Sequence, residues 1–189
     1  MLGLVGAPGA GKSTLAERLV AALPPGAAVV LPMDGFHLAQ RELERLGLAD
    51  RKGAPETFDG WGFAATLARV AARDEPVVHV PAFDRDLEEP IAGAIAIPAD
   101  VPLVVTEGNY LLLDREPWSR AREAMTEVWF LDPPEDVRRE RLAARHVRHG
   151  RTEEAATAWI TAVDEPNARL VASTRDRADL VVRVSGGGS

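Results

Sequence analysis

A glycine-rich segment at residues 6–13, with the sequence GAPGAGKS, constrains this chain more than any other part of it. It follows the short apolar run at residues 2–5 and precedes a helical pattern at residues 14–20, so the order is strand, turn and helix. Glycines let a backbone turn its N–H groups inward around an anion, and the helix adds the positive end of its dipole. In this context the pattern predicts a P-loop that binds nucleotide phosphates, whereas a turn without a ligand would not need all three elements in register.

Two side chains of this segment have separate expected roles. We expect Lys12 to neutralise the β- and γ-phosphates of ATP and the Ser13 hydroxyl to hold Mg²⁺. Only Lys12 and Lys52 are lysines in a chain with 22 Lys and Arg residues, and a compact ammonium fits beside phosphates better than a guanidinium. The predicted phosphate-binding residues are Gly6, Ala7, Pro8, Gly9, Ala10, Gly11, Lys12, Ser13 and Thr14.

Length and composition limit the class of protein. With 189 residues we expect one domain at residues 1–184, followed by a flexible tail, SGGGS, at residues 185–189. A formal charge of −7 argues against nucleic-acid binding, and the lack of cysteine excludes disulfides and thiolate metal sites. No apolar run approaches the roughly 18 residues of a membrane span. We therefore expect a cytoplasmic protein that acts on a small molecule without nucleic acid or membrane, and a homodimer stays open.

Apolar runs and helical patterns alternate along the chain. Strands are predicted at residues 2–5, 27–31, 77–80, 103–106, 127–131 and 180–184, with a further short strand at 91–97 outside the main sheet. Helices are predicted after the P-loop and at residues 38–46, 63–72, 135–149 and 152–163, with a polar loop at 50–59. This order predicts an α/β fold of the P-loop NTPase type, with a mainly parallel sheet and helices on both faces. Ligands of such sheets bind beyond the carboxyl ends of the strands.

Two carboxylates follow predicted strands and are candidates for chemistry. Asp34 follows the second strand, where a carboxylate can accept the proton of an attacking hydroxyl; an ordinary turn aspartate before Gly35 is the alternative. Glu107 follows the strand at 103–106 and suits a role in orienting Mg²⁺ or its waters. A buried carboxylate without a nearby cation would be costly, which favours the metal role.

A basic helix near residues 135–149 carries a stripe of four arginines. Their spacing of 3, 4 and 3 puts them on one helical face: Arg138, Arg141, Arg145 and Arg148. For most of them a solvated basic face is the expected state. One or two of Arg141, Arg145, Arg148 and the nearby Arg151, with Arg141 and Arg145 as the catalytic candidates, could close as a lid at about residues 138–152 and stabilise charge on a transferring group. His146 and His149 are expected on the surface of this helix.

These segments together resemble the P-loop kinase family that contains uridine kinase, pantothenate kinase and phosphoribulokinase. The similar segments run in order over nearly the whole chain: residues 6–13, 34–36, 51–59, 81–84, 107–109, the arginine-rich helix, Asn167 and residues 174–179. The resemblance implies that Asp34 is the base, that Glu107 supports the metal, and that Arg145, Thr174 and Arg175 contact the nucleotide. It also implies a set of acceptor-binding residues: Asp34, His37, Arg51, Lys52, Phe58, Phe83, Asp84, Arg85, Asn109 and Asn167.

The chain departs from the family where the acceptor is chosen. Residues 34–37 are Asp-Gly-Phe-His, where uridine kinases have an Asp-Ser-Phe-Tyr type of motif, and residues 83–85 also differ. We therefore expect an ATP- and Mg²⁺-dependent kinase of the nucleoside or sugar kinase-like branch, whose acceptor is a nucleoside, a sugar or a pantothenate-like polyol. The alternatives are a regulatory module that binds ATP without transfer, which would not need Asp34, and a P-loop ATPase coupled to a partner.

Overall fold

Five parallel strands form the central sheet of the protein, whose computed structural model describes residues 1–183. In sheet order they are β2 (Ala28–Pro32), β5 (Leu103–Gly108), β1 (Leu2–Val5), β6 (Glu127–Asp132) and β7 (Leu180–Arg183). All four pairings are parallel, so each connection crosses a face of the sheet. The predicted α/β class is confirmed. The predicted tail at residues 185–189 lies outside the described residues.

The register of the strands brings three chain segments together at one edge of the sheet. Leu4 of β1 pairs with Glu107 of β5, and Pro32 of β2 pairs with the same Glu107 from the other side. The segments that follow β1, β2 and β5 therefore start next to one another. This is the carboxyl edge at which parallel α/β sheets bind their ligands.

Helices cover both faces of this sheet. They are α1 (Lys12–Ala21), α2 (Gln40–Leu46), α3 (Gly60–Ala72), α4 (Trp118–Glu123), α5 (Glu135–Arg148), α6 (Glu153–Trp159) and α7 (Glu165–Ala172). Neighbouring residues of β1 point to opposite faces: Leu4 packs in a cluster with Ala16 of α1, and Val5 packs in a second cluster with Phe63 of α3. None of the helices in residues 1–183 is long and apolar enough to cross a membrane.

A separate antiparallel hairpin corrects one strand prediction. The run at residues 77–80 is expected in the main sheet, but it belongs to β3 (Val77–Asp84), whose one partner strand within residues 1–183 is β4 (Glu89–Pro98). The strand continues through Pro81, where the register shifts between Val80 and Ala82, because a proline is tolerated at a bulge that needs no ladder N–H. The expected strand outside the main sheet, at residues 91–97, is part of β4.

Two helix boundaries differ from the prediction for physical reasons. The helix α3 begins three residues earlier than expected, because the Asp59 carboxylate accepts a hydrogen bond of 2.8 Å from the Gly62 N–H and caps it. The helix expected at 152–163 instead passes through a π turn (Ile160–Asp164) and continues as α7. A π turn inserts one residue into the helical repeat, and such turns often occur at functional sites.

The polar loop expected at residues 50–59 is well anchored. It contains two short 3₁₀ turns, at Ala49–Arg51 and Pro55–Thr57. The Thr57 hydroxyl is fully buried and donates to the Ala54 carbonyl at 2.7 Å, and the Tyr110 hydroxyl donates to the Gly53 carbonyl. These bonds hold the loop against the carboxyl edge of the sheet.

Candidate active site

The P-loop forms a compact turn between β1 and α1. Gly9 and Gly11 have φ angles of +84° and +90°, in the left-handed region that favours glycine. The ammonium of Lys12 donates to the Asn109 side-chain oxygen at 2.7 Å and to the Ala7 carbonyl at 3.3 Å. Burial lowers the pKa of Lys12, and the charge of Glu107 works against that shift. The ammonium is thus held inside the loop by neutral acceptors that an anionic ligand can replace.

Arg138 supports the P-loop from behind, and this corrects the expectation of a solvated stripe at that position. Its side chain is 3% exposed and donates to the Pro8 carbonyl at 3.0 Å. The same guanidinium pairs with Glu135 and Glu165, both at 2.6 Å. Because its donors are already used, Arg138 is a structural residue that joins α5 and α7 to the loop.

Ser13 and Glu107 form the second part of the site. The Ser13 hydroxyl donates to Glu107 Oε1 at 3.0 Å. Burial, reinforced by the charge of Asp34, raises the pKa of Glu107 to about 7. A buried carboxylate beside a hydroxyl is a donor set that fits Mg²⁺, because the ion would replace the missing neutralising charge. Within residues 1–183 no group of three or more His, Cys, Asp or Glu side chains could hold a metal, so other ligands would have to come from phosphates and water.

The raised pKa of Glu107 leads to a prediction for the ligand-free protein. The folded state holds the Glu107 proton up to about pH 7, whereas the unfolded chain loses it near the ordinary value of 4.5. The free energy of unfolding therefore falls as the pH rises through this window, by an amount on the order of 3 kcal/mol. We expect Glu107→Gln to remove this loss and to be the more stable protein at pH 8.

Urea unfolding at pH 5, 6, 7 and 8 measures this difference. Glu17→Gln, at an exposed position on α1, is the matched control and should follow the wild type at every pH. A Glu107→Gln variant with the pH slope of the wild type would show that Glu107 is ionised throughout the range.

Asp34 lies in a tight turn, Met33–Phe36, directly after β2. A Cβ atom on the next residue, Gly35, would lie 2.3 Å from the Pro81 carbonyl oxygen, so glycine lets the turn pack against β3. The Asp34 carboxylate pairs with Arg85 at 2.7 Å. Burial works to raise the pKa of Asp34, but the charges of His37, which is protonated in the acidic range where Asp34 titrates, and of Arg85 and Lys12 outweigh it and hold the pKa below its ordinary value. Asp34 is therefore ionised at neutral pH.

Three rings form a wall beside Asp34. The His37 ring centroid lies 4.0 Å from that of Phe58 and 5.0 Å from that of Phe83. His37 donates through Nδ1 to the Asp34 carbonyl at 2.8 Å, since a carbonyl can only accept. Burial lowers the pKa of His37, although the charge of Asp34 opposes the shift. His37 is thus a neutral, fixed part of the wall.

A cavity of about 630 Å³ joins these groups. Many of the residues predicted from the sequence line it: Pro8, Lys12, Ser13, Asp34, His37, Lys52, Phe58, Phe83, Arg85, Glu107, Asn109 and Arg145. Burial lowers the pKa of Arg145, partly offset by the charge of Asp164. Of the arginine stripe, Arg145 alone lines the cavity, while Arg148 is exposed and Arg141 lies exposed near Gly11.

Other predicted residues make local contacts instead of lining this cavity. Arg51 pairs with Glu56, and the Asp84 carboxylate accepts from the N–H groups of residues 86 and 87. Asn167 is buried on α7. The Thr174 hydroxyl donates to the Val171 carbonyl at 2.7 Å, and Arg175 pairs with Asp132 at 3.1 Å. Their proposed roles in binding remain predictions.

Several residues of the cavity were missed by the sequence analysis. His146 was expected on the surface, but its side chain is 13% exposed and lies 2.8 Å from Asp164. Trp159 is the last residue of α6 and Asp164 is the last residue of the π turn, so a regular helical repeat misplaces Asp164. The guanidinium of Arg151 stacks on Trp159 at 3.9 Å from the ring centroid. No pattern in the sequence signals these contacts.

Comparison with known proteins places this site in a family. The model of the AAA domain matches residues 1–166. An ATP-dependent kinase-like protein of Aspergillus versicolor, notR', is 37% identical, covering 67% of this chain and 77% of that protein. A protein of Schizosaccharomyces pombe with the provisional name of uridine kinase is 32% identical, covering 97% and 82%.

A solved structure is also similar to this chain. A crystal structure from Silicibacter sp. TM1040, provisionally described as a fructose transport system kinase, is 40% identical and superposes with a TM-score of 0.86, covering 96% of this chain and 88% of that one. Its similarity extends over the P-loop, the sheet and the helices. The chain belongs to the AAA-domain family of P-loop proteins and, within it, to the kinases related to uridine kinase and phosphoribulokinase.

Proposed function

We propose that the protein is an ATP- and Mg²⁺-dependent kinase that phosphorylates a hydroxyl group of a small metabolite. One observation carries this proposal: Lys12, the Ser13–Glu107 pair and the ionised Asp34 all line one cavity. A phosphate site and a metal site alone would serve a binding module equally well. A carboxylate in the same cavity adds an acceptor for a hydroxyl proton, and this favours phosphotransfer.

Each side chain has a defined task in this proposal. ATP, when bound, supplies the γ-phosphoryl group, whose bond to the bridging oxygen breaks as the bond to the acceptor oxygen forms. Lys12 neutralises the phosphates, and Ser13 with Glu107 holds the metal. Asp34 accepts the proton of the hydroxyl. Arg145 neutralises charge from the side of α5.

The direct test is an acceptor screen with ATP and Mg²⁺ that measures ADP release and product mass. The provisional names of the relatives make uridine and fructose the first acceptors to test, followed by other nucleosides, sugars and polyols. A product heavier by one phosphoryl group supports the proposal. ATP binding without any phosphorylated product across the panel would favour the regulatory module instead.

The lid role gives a prediction for two arginines on the same helix. Arg145→Ala should lower kcat by about 10³, as removal of an arginine finger does, because this side chain lines the cavity. Arg148→Ala is the matched control, and its exposed side chain should leave kcat within about twofold of the wild type. Steady-state kinetics at saturating ATP measures both. A wild-type kcat in Arg145→Ala would exclude this role for Arg145.

A further inference from the structure

Two cations flank one aromatic ring in the wall of the cavity. The ammonium of Lys52 lies 5.2 Å from the Phe83 ring centroid, and the guanidinium carbon of Arg85 lies 5.1 Å from it. Lys52 comes from the anchored loop and Arg85 from the β3–β4 hairpin, so two separate elements bring positive charge to the same ring. The hairpin carboxylates Glu88 and Glu89 also line the cavity, so the feature that points to a ligand is the placement of two cations against one ring and not an excess of positive charge.

The partners of these cations inside the protein are weak or needed elsewhere. Lys52 donates to the Glu88 backbone carbonyl at 2.8 Å, and the Glu88 carboxylate is 3.9 Å away with its side chain 56% exposed. Within residues 1–183 the carboxylate that pairs with Arg85 is that of Asp34, the proposed base. A guanidinium has five N–H donors and an ammonium has three, so both cations can donate hydrogen bonds to a further, anionic partner.

The nucleotide does not account for these two cations. The predicted phosphate contacts come from the P-loop and from Arg145 on α5, not from the loop at residues 51–59 or the hairpin. Arg85 instead touches the group that must meet the acceptor hydroxyl, at 2.7 Å. Lys52, Phe83 and Arg85 therefore belong to the acceptor side of the cavity.

We propose that the acceptor carries an anionic group, a carboxylate or a phosphate monoester, which Lys52 and Arg85 bind against the Phe83 ring. This inference rests on the proposed kinase function and narrows its substrate class. Arg85 contacts Asp34 directly, so an anion bound to Arg85 would lie about one guanidinium away from the hydroxyl that Asp34 activates. The acceptor is therefore a compact molecule that carries both a hydroxyl and an anionic group. When it binds, its oxygens offer Arg85 a second partner, and Asp34 becomes available for the hydroxyl proton.

Matched sets of acceptors test this inference. Each set keeps one carbon skeleton and converts one of its ends, with the hydroxyl or carbonyl there, into a carboxylate or a phosphate monoester: glycerol, glycerate and glycerol 3-phosphate; ribose, ribonate and ribose 5-phosphate; uridine and uridine 5′-monophosphate. Calorimetry with a non-hydrolysable ATP analogue and Mg²⁺ measures binding, and ADP release with ATP measures transfer. For the skeleton that is used, we expect the anionic member to exceed the neutral one by about tenfold or more in affinity and in kcat/KM. The preferred member distinguishes carboxylate from phosphate.

Variants of Lys52 and Arg85 test whether these two residues cause the preference for the anionic acceptor. Arg85→Gln and Lys52→Gln should each reduce this preference by about tenfold, mainly by raising the KM of the anionic acceptor, with unchanged ATP affinity. Arg85→Lys and Lys52→Arg keep the charge and should restore part of it. Arg69→Gln, which removes an exposed arginine paired with Glu75, is the control and should leave the preference unchanged.

The outcomes separate the two proposals. Transfer to a neutral member at least as fast as to its anionic partner, or an unchanged preference in both glutamine variants, would overturn the anion site and leave the kinase function standing. Anionic members that bind through Lys52 and Arg85 but are never phosphorylated would overturn the kinase function and leave the anion site standing. If no member of the panel binds or reacts, both proposals fall.

Discussion

Lys12→Ala is expected to reduce kcat/KM for ATP by at least about 10³-fold while leaving the fold intact. Lys12 is 9% exposed, and its ammonium is held by the Asn109 side chain and the Ala7 carbonyl inside the P-loop. An electrostatic group of this kind, placed in advance where charge develops, contributes about 10²–10³ in rate, and the loss of phosphate binding adds to it. Both nucleotide affinity and turnover should therefore fall.

The fold should tolerate this change, because the neighbouring carboxylate can adjust. Without Lys12, the buried Glu107 loses a stabilising positive charge and remains protonated to higher pH. Calorimetry with ATP, turnover and thermal unfolding should be measured on Lys12→Ala, on Lys12→Arg and on Arg18→Ala, an exposed control on α1. Lys12→Arg should also be impaired, since a planar guanidinium does not fit as a point charge. Unchanged ATP affinity and turnover in Lys12→Ala would refute the P-loop assignment.

The part of the site that the sequence predicts is the part built from local patterns. The P-loop, Asp34 and Glu107 each follow directly after an apolar run, and the carboxyl ends of parallel strands meet at one edge. The sequence alone therefore predicts that the P-loop, Asp34 and Glu107 lie at the same edge of the sheet. The hairpin was misplaced for a related reason, since the apolar run of β3 has the same pattern whether it pairs with the central sheet or with β4.

Such local patterns do not predict contacts between residues that are far apart in the chain. The spacing of the arginines on α5 predicts a common face, but not that Arg138 turns inward to the Pro8 carbonyl, 130 positions away. The Arg85–Asp34 pair joins residues 51 positions apart. The π turn displaces Asp164 from a regular helical repeat. Each of these features depends on tertiary packing.

Asp34→Asn is expected to lower kcat and kcat/KM together, by roughly 10²–10⁴-fold. The amide keeps the shape of the carboxylate, and its oxygen can still accept a hydrogen bond from Arg85, so the wall of the cavity should stay in place. What it loses is the ability to take a proton from the acceptor hydroxyl. The affinity for Mg²⁺-ATP should therefore barely change, and the product of a single turnover should form more slowly.

The pH dependence of kcat/KM distinguishes the role of Asp34 from that of Glu107. Cationic groups outweigh the effect of burial and hold the pKa of Asp34 below its ordinary value, so its proton does not limit kcat/KM near neutral pH. Glu107, with a pKa raised to about 7 by burial, must lose its proton before it can bind a cation, and kcat/KM should fall below that pH in the wild type. The fall should persist in Asp34→Asn but move to lower pH, because the charge of Asp34 helps to raise the pKa of Glu107. Asp74→Asn, at an exposed loop position, should match the wild type. If Asp34→Asn instead kept full kcat and lost affinity for Mg²⁺-ATP, Asp34 would be a metal-site residue, and the proton of the acceptor would need another base.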